Sequence, residues 1–597
     1  MKFSVLALDY DGTIAHRDRL DPNAREAIAR ARATGVTVLL VTGRILGELQ
    51  RVSGGLHFVD GVVAENGAVV HFPESHHTTV LAPGVPAAFL AELARRGLAC
   101  TAGEALVDAD AALGPQLLDV IRSMELPLVL LYNHGRVMVL PQGVSKATGL
   151  QVALAMLRLS ARNMVAVGDA ENDHELLRLA EVGVAVEWGS AALAAAADTV
   201  LRGSGPSAVA GFVDALLATG ELPMPSRPRR RLRLGHAEDG SEFSLAVRGR
   251  NVLVAGDAKS GKSWVTGLLC EQLILYGYCV CVIDPEGDYR SLEGLPGVTV
   301  LGGEEPPPQP AQLTRALRYP DRSVILDLSH VPQATKIDYI RGVLPALTAM
   351  RRQTGLPHRI VVDEAHYFLQ EDGTPLLDLD LNGYTLVTYR ASRLPEAVLA
   401  SVDVMIVTCE SDPAEVAALK MRCEGCQDRE DPAWARLPYL GVGQAVALPI
   451  TEESRGALRV FTMGPRLTPH VRHRQKYVDV PVTEAHAFLF AAADRPGRGI
   501  RRARTLREFV DALDGLTPAE AAPYLRRGDF SRWIGEVFGD QALADEIRAR
   551  ERRHLEGGDR ETVPELVAAV RARYDLTGSR LSEVPPSGAG PSSGTSS

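Results

Sequence analysis

Twice along this 597-residue chain, short β-branched apolar runs alternate with Ala-, Leu- and Arg-rich helical stretches: from residue 1 to about 222, and again from about Asn251 to Ile450. Parallel strands need a crossover connection, usually a helix, so each alternation is the pattern of an α/β domain built on a parallel sheet. In the second, strands are expected at 252–255, 279–284, 323–327, 359–363, 384–388 and 403–408. Between the two lies "ELPMPSRPRRRLRLG", whose prolines interrupt regular structure and whose like charges repel. Residues 223–250 therefore read as a Pro/Arg-rich linker and lead-in. No repeat of solenoid period is visible.

At 46% hydrophobic and 23% charged residues, the composition is that of an ordinary globular protein. The net charge of −10 excludes a polycation, so any affinity for nucleic acid must come from a local basic surface. The opening "MKFSVLALDYDG" lacks the apolar core of a signal peptide, and no apolar run is long enough to cross a bilayer. The expected location is the cytoplasm, without membrane contact. Seven scattered cysteines suit a reducing compartment. Cys423 and Cys426 form one CxxC, but no second ligand pair follows to complete a zinc site.

"VLALDYDGTI" ends an apolar run in Asp9 and Asp11. At the carboxyl edge of a parallel strand, alternation points both to the same side, where two carboxylates can hold magnesium, attack phosphorus and exchange the leaving-group proton. Gly12 lets the chain turn sharply. "VLLVTGR" places the Thr42 hydroxyl at another strand end, and Lys146 in "GVSKATGL" starts a helix and supplies a cation. "MVAVGDAENDHELL" adds Asp169, Asn172 and Asp173, enough oxygens to finish a magnesium shell.

These four stretches resemble the haloacid dehalogenase superfamily of phosphohydrolases over residues 1 to about 215. The resemblance implies a Rossmann-like core in which Asp9 forms an aspartyl-phosphate and Asp11 is the acid/base. It makes Thr42 and Lys146 phosphate ligands, and Asp9, Asp11, Asp169 and Asp173 the magnesium side. Residues of about 78–143 have a composition of their own, with expected helices near 85–97 and 112–123 and strands near 98–107, 127–131 and 136–140. This insertion looks like the small α/β cap of sugar-phosphate and phosphoglycolate phosphatases. A lid of that kind excludes water and large polymers, so the resemblance favours a small phosphorylated metabolite.

"VLVAGDAKSGKSW" carries a second phosphate signature. Gly256–Ser263 fits GxxxxGK[ST] between a strand and a helix, the context that this loop requires. Gly256, Lys259, Ser260, Gly261, Lys262 and Ser263 would cradle a nucleoside triphosphate, with Lys262 on the outer phosphates and Ser263 on magnesium. "RIVVDEAHYF" delivers Asp363 for magnesium and Glu364 to polarise a water, which points to hydrolysis of ATP.

With "CVCVIDPEGDY" and "YTLVTYRASRLP", residues of about 235–465 resemble the HerA/FtsK-like branch of P-loop ATPases, a RecA-like α/β fold. Members usually carry glutamine after the threonine of the last of these strands; here Tyr389 and Arg390 follow Thr388. Such ATPases are typically ring hexamers completed by a neighbour's arginine, so the resemblance implies a homo-oligomer, with Arg390, Arg393 and Arg422 as candidates. They often thread DNA.

Between 455 and 510 there are 12 Lys and Arg against 4 Asp and Glu, including "HVRHRQKY". This stretch suits DNA phosphates or a solvated face, or a contact with the acidic first domain, which has 17 Lys and Arg against 24 Asp and Glu over 1–222. The expected domains are 1–222, the linker, 251–465, a basic segment 466–504, a helical region 505–580 and an unstructured tail 581–597. Phe530, Trp533, Ile534, Val537 and Phe538 recur at helical spacing, either a core stripe or a partner-binding face. The whole reads as a bifunctional phosphatase–ATPase. The alternative is a DNA-associated motor with an accessory or degenerate phosphatase domain.

Overall fold

The computed structural model describes residues 2–133, 135–223, 229–246, 249–369, 376–421, 432–449, 458–469, 478, 482, 486–490, 501–538, 540–557 and 562–574. Cys423, Cys426, Arg422, "HVRHRQKY" and the tail lie outside them.

The first alternation folds into an eight-stranded sheet. Its order is Thr199–Leu201, Val182–Val186, Met164–Gly168, Val5–Leu8, Thr37–Val41, Gly61–Ala64, Val69–Phe72 and His77–Val80. The first six strands run parallel and the last two antiparallel. The central strands are buried on both faces, which is why they read as continuous rather than alternating apolar runs. The register pairs Leu8 with Leu40 and with Val167, so Asp9, Thr42 and Asp169 all emerge at one carboxyl edge.

The insertion forms a four-stranded antiparallel sheet, ordered Leu128–Asn133, Arg136–Pro141, Val107–Asp110, Cys100–Ala102, against the helices Ala87–Arg95 and Gly114–Ser123. The single strand expected over 98–107 is two: Gly103 lies between them, where a Cβ would stand 2.6 Å from the Glu65 carboxylate. Cap and core meet through Leu106, Met138 and Leu140, packed on Ile45 and Val144.

The second sheet has eleven strands. Seven run parallel, in the order Val404–Val407, Val252–Ala255, Tyr384–Thr388, Arg359–Val362, Val280–Asp284, Ser323–Asp327 and Val298–Gly302. An antiparallel group, Gln444–Pro449, Arg459–Met463, Leu232–Ala237 and Glu242–Leu245, extends the edge beyond Val404–Val407. The stretch read as linker and lead-in thus contributes two strands, pairing Gly235 with Met463 more than two hundred residues away.

The C-terminal region is helical. Thr505 with Glu508, and Thr517 with Glu520, form capping boxes that start the helices Leu506–Asp514 and Pro518–Arg527. Asp529–Trp533 runs into a π-helical turn, Ile534–Phe538, and the helices Gln541–Gly557 and Thr562–Arg573 follow. Phe530, Trp533, Ile534 and Phe538 are buried with Phe509 and Tyr524, and Val537 packs partly buried against them, so the stripe is core. The strands Phe488–Phe490 and Arg501–Ala503, inside or beside the expected basic segment, join this core.

Candidate active site and the Gly256–Ser263 loop

At the carboxyl edge of the first sheet, Asp9, Asp169 and Asp173 converge with ligand oxygens all within 4.8 Å, each side chain buried. Lys146, itself 1% exposed, donates from Nζ to Asp9 Oδ1 and Asp173 Oδ1, both at 2.6 Å. It enters from the first turn of the helix Lys146–Leu157, whose Ser145–Thr148 capping box fixes where that turn begins. Burial, and then Asp173 and Asp169 against the opposing pull of Lys146, hold the Asp9 carboxyl well above the usual carboxylate range. Burial alone would lower Lys146, but Asp173 and Asp9 outweigh it and raise the ammonium above the ordinary lysine value.

Asp173 Oδ2 also accepts from the backbone N–H of Asp169 (3.0 Å) and Ala170 (3.1 Å), which orients it. Gly12 has φ +75°, and a Cβ there would stand 2.0 Å from Asp169 Oδ2, so only glycine admits that carboxylate.

The other site residues settle differently. Thr42 is buried at the end of its strand, its hydroxyl accepting from Arg44 N at 3.1 Å. Asp11 stands outside the three-carboxylate group: both its oxygens are held by the Arg44 guanidinium at 2.7 Å. An arginine fork matches a carboxylate bidentately, so Arg44 draws Asp11 toward Asp18 and Glu48, which it also binds. The expectation of Asp11 as a fourth side-chain magnesium ligand therefore differs from this arrangement. Arg44 ends the stretch "VLLVTGR", yet its role is readable only through a partner 33 residues away.

Magnesium fits what is present. Three buried carboxylates at one edge form a hard oxygen donor set, and the buried Asn172 Oδ1 has no hydrogen-bond partner.

In the second sheet, Gly256–Ser263 joins the strand Val252–Ala255 to the helix Lys262–Leu275. Gly256, at φ +143°, would as any other residue set its Cβ 2.1 Å from Thr408 Oγ1. Lys262 Nζ folds back on the loop's own carbonyls, Gly256 O at 2.9 Å and Asp257 O at 2.7 Å. Ser263 Oγ donates to Asp288 Oδ2 at 2.7 Å. Asp288 belongs to "DPEGDY", where Asp284 accepts from the N–H groups of Gly287, Asp288 and Tyr289 and so shapes the turn that brings Asp288 to the loop. The sequence pattern alone gives Asp288 no role; its signal there is the second carboxylate of the stretch.

Asp363 and Glu364 follow the strand Arg359–Val362, two places from the loop strand. Both are buried, and Glu364 takes a left-handed conformation, φ 49°, beside His366 Nδ1 at 3.7 Å. Burial lowers His366 to about 4. Thr388 pairs its hydroxyl with His366 at 3.0 Å, while Tyr389 meets the Tyr367 hydroxyl at 2.9 Å. Arg390 is ion-paired within its own chain, to Asp412 and Glu415, and Arg393 is exposed. Ser260 is buried against Thr408, and Lys259, expected on nucleotide, donates to Val537 O at 2.9 Å.

Residues 6–93 and 123–213 match the sequence profile of the haloacid dehalogenase-like hydrolases. The phosphoglycolate phosphatase of Natronomonas pharaonis is 33% identical over 233 residues, 35% of this chain and 95% of that protein. That of Methanothermobacter thermautotrophicus is 30% identical over 231 residues, again 35% of this chain and 96% of the relative. A crystal structure of a haloacid dehalogenase-like hydrolase from Bacteroides thetaiotaomicron, 19% identical, aligns over 36% of this chain and all of its own, with a TM-score of 0.33.

Proposed function

The N-terminal third of the chain belongs to the haloacid dehalogenase-like hydrolases and is a phosphatase domain of that type, and from this premise we propose that it cleaves a small phosphomonoester through Asp9. The observation that carries the reading is the buried Asp9–Lys146–Asp173 contact beneath a seated cap. Asp9 attacks phosphorus as the bond to the leaving oxygen breaks, and Asp11 gives that oxygen its proton. Water, losing a proton to Asp11, then attacks phosphorus and frees Asp9 and phosphate. Lys146 and the Thr42 hydroxyl hold the phosphoryl oxygens, and the cap keeps out bulk water. Asp9, Asp169 and Asp173 would hold magnesium, which when bound offsets the charge of the phosphoryl group.

The names of the two archaeal relatives make 2-phosphoglycolate the first substrate to try. Asp9→Asn should lower phosphate release from it by about 10³-fold or more. Release that survives in this variant would refute the assignment of the nucleophile.

A second reading rests on Lys262 and Ser263: we propose that the loop binds ATP and that Asp363 and Glu364 support its hydrolysis. Hydrolysis by the Asp9→Asn protein, with Lys262→Ala as blank, tests this without a contribution from the first site. A several-fold increase with DNA would favour an oligomeric nucleic-acid motor; indifference to DNA would favour a regulatory ATPase.

A further inference from the structure

A cavity of about 790 Å³ opens at the phosphate loop, and its walls come from parts of the chain more than two hundred residues apart. One wall is the loop itself with Trp264, Met463 and Pro465; the other is His486, Glu536 and Val537 of the C-terminal domain. The two are tied together. Lys259, in the left-handed conformation at φ 66°, donates to Val537 O at 2.9 Å, and its ammonium lies 3.6 Å from the centre of the Phe538 ring. A desolvated cation over an aromatic face is a stronger contact than the same pair in water. Val537 and Phe538 sit in the π-helical turn, a departure from α-helix that frequently marks functional sites. The Trp264 indole N–H is fixed on Gly464 O at 3.1 Å, so the apolar wall is held in place too.

We propose that the C-terminal helical domain is half of the nucleotide site: it covers the loop, and the nucleoside of a bound triphosphate lies between the Trp264–Met463 wall and the His486–Val537 wall. This rests on the reading of Gly256–Ser263 as a triphosphate loop. The volume is that of small-molecule sites, which run from about 300 to 1,000 Å³. The lining supplies what a nucleotide requires, with backbone N–H groups, Lys262 and Ser263 for phosphates and the apolar Trp264, Met463 and Val537 for the nucleoside. Coupling between loop and domain then follows, because Lys259 belongs to the first and holds the second.

Hydrogen exchange of the full-length protein, with and without a non-hydrolysable ATP analogue and magnesium, tests this. Amides of 257–263 and of 530–538 should both slow, by about tenfold or more. Slowing of the loop alone would overturn the proposal and leave the loop reading standing; slowing of neither would overturn both. Val537→Asp should weaken binding of the analogue by at least about tenfold while phosphatase turnover, which belongs to the other site, is retained; because Val537 also packs on the helical core, Val537→Ala, with a smaller loss of affinity in the same direction, separates lost binding from lost folding. An unchanged affinity would count against the shared site.

Discussion

Glu410 sits against Asp257, the second residue of the Gly256–Ser263 loop, and burial together with that neighbouring carboxylate pushes it up to about 8. The folded protein therefore keeps a proton that the unfolded chain sheds near 4.5. Its folded pKa is raised, so the associated stability is complete below about 4.5 and is lost as the pH climbs through about 8. Glu410→Gln removes this dependence while keeping an oxygen for the Asp412 amide, which donates to Glu410 Oε1 at 3.1 Å. The variant should match the wild type near pH 4.5 and be more stable at pH 8, by up to roughly 4 kcal/mol. Thermal unfolding at the two pH values checks this; a difference that does not grow with pH would refute it. At this scale the sequence was legible where a side chain's direction follows from its own strand or helix end, as for Asp9, Lys146, Asp169 and Asp173. It was not legible where a distant partner decides the direction. Asp11 turns to Arg44 and Lys259 to Val537, and no local pattern names either partner.

Among elements, the parallel strands were the most legible, because a run buried on both faces leaves a continuous apolar signature bounded by polar residues. Tyr384–Thr388 and Ser323–Asp327 fall where the pattern places them. Leu232–Ala237 is not legible because it is antiparallel, follows directly on the arginines of the Pro/Arg-rich stretch and takes one of its two partners, Arg459–Met463, from more than two hundred residues away. The cap shows how one residue can carry the attachment of an element. Glu65, buried in the core at φ 51°, accepts from the N–H groups of Glu104 (3.1 Å) and Ala105 (2.9 Å) at the foot of the cap. Glu65→Ala would strand both donors, at a cost of about 1–3 kcal/mol each. Hydrogen exchange at residues 103–106 should accelerate by about tenfold or more in that variant; an unchanged rate would mean that the apolar contact of Leu106, Met138 and Leu140 holds the cap without Glu65.

Across the whole molecule, the two α/β halves meet through polar contacts. Lys2 Nζ donates to Arg352 O at 2.8 Å and Gln353 O at 2.5 Å, and Arg229 forks onto Asp198 at 2.5 Å. At the centre, Glu181 accepts from Tyr278 Oη (2.8 Å) and Arg162 (3.1 Å), with Arg230 at 3.5 Å. Removing one member of a buried ionic group leaves the others uncompensated, typically at about 3–5 kcal/mol. Glu181→Ala should therefore lower the calorimetric transitions of both halves together, whereas a drop in the first alone would show that they melt independently. The arginines 229 and 230 that look like a tether in the sequence are thus mortar. A gene fragment ending before them would leave Asp198 and Glu181 without these arginine partners, an open ionic seam along the face that the second half now covers.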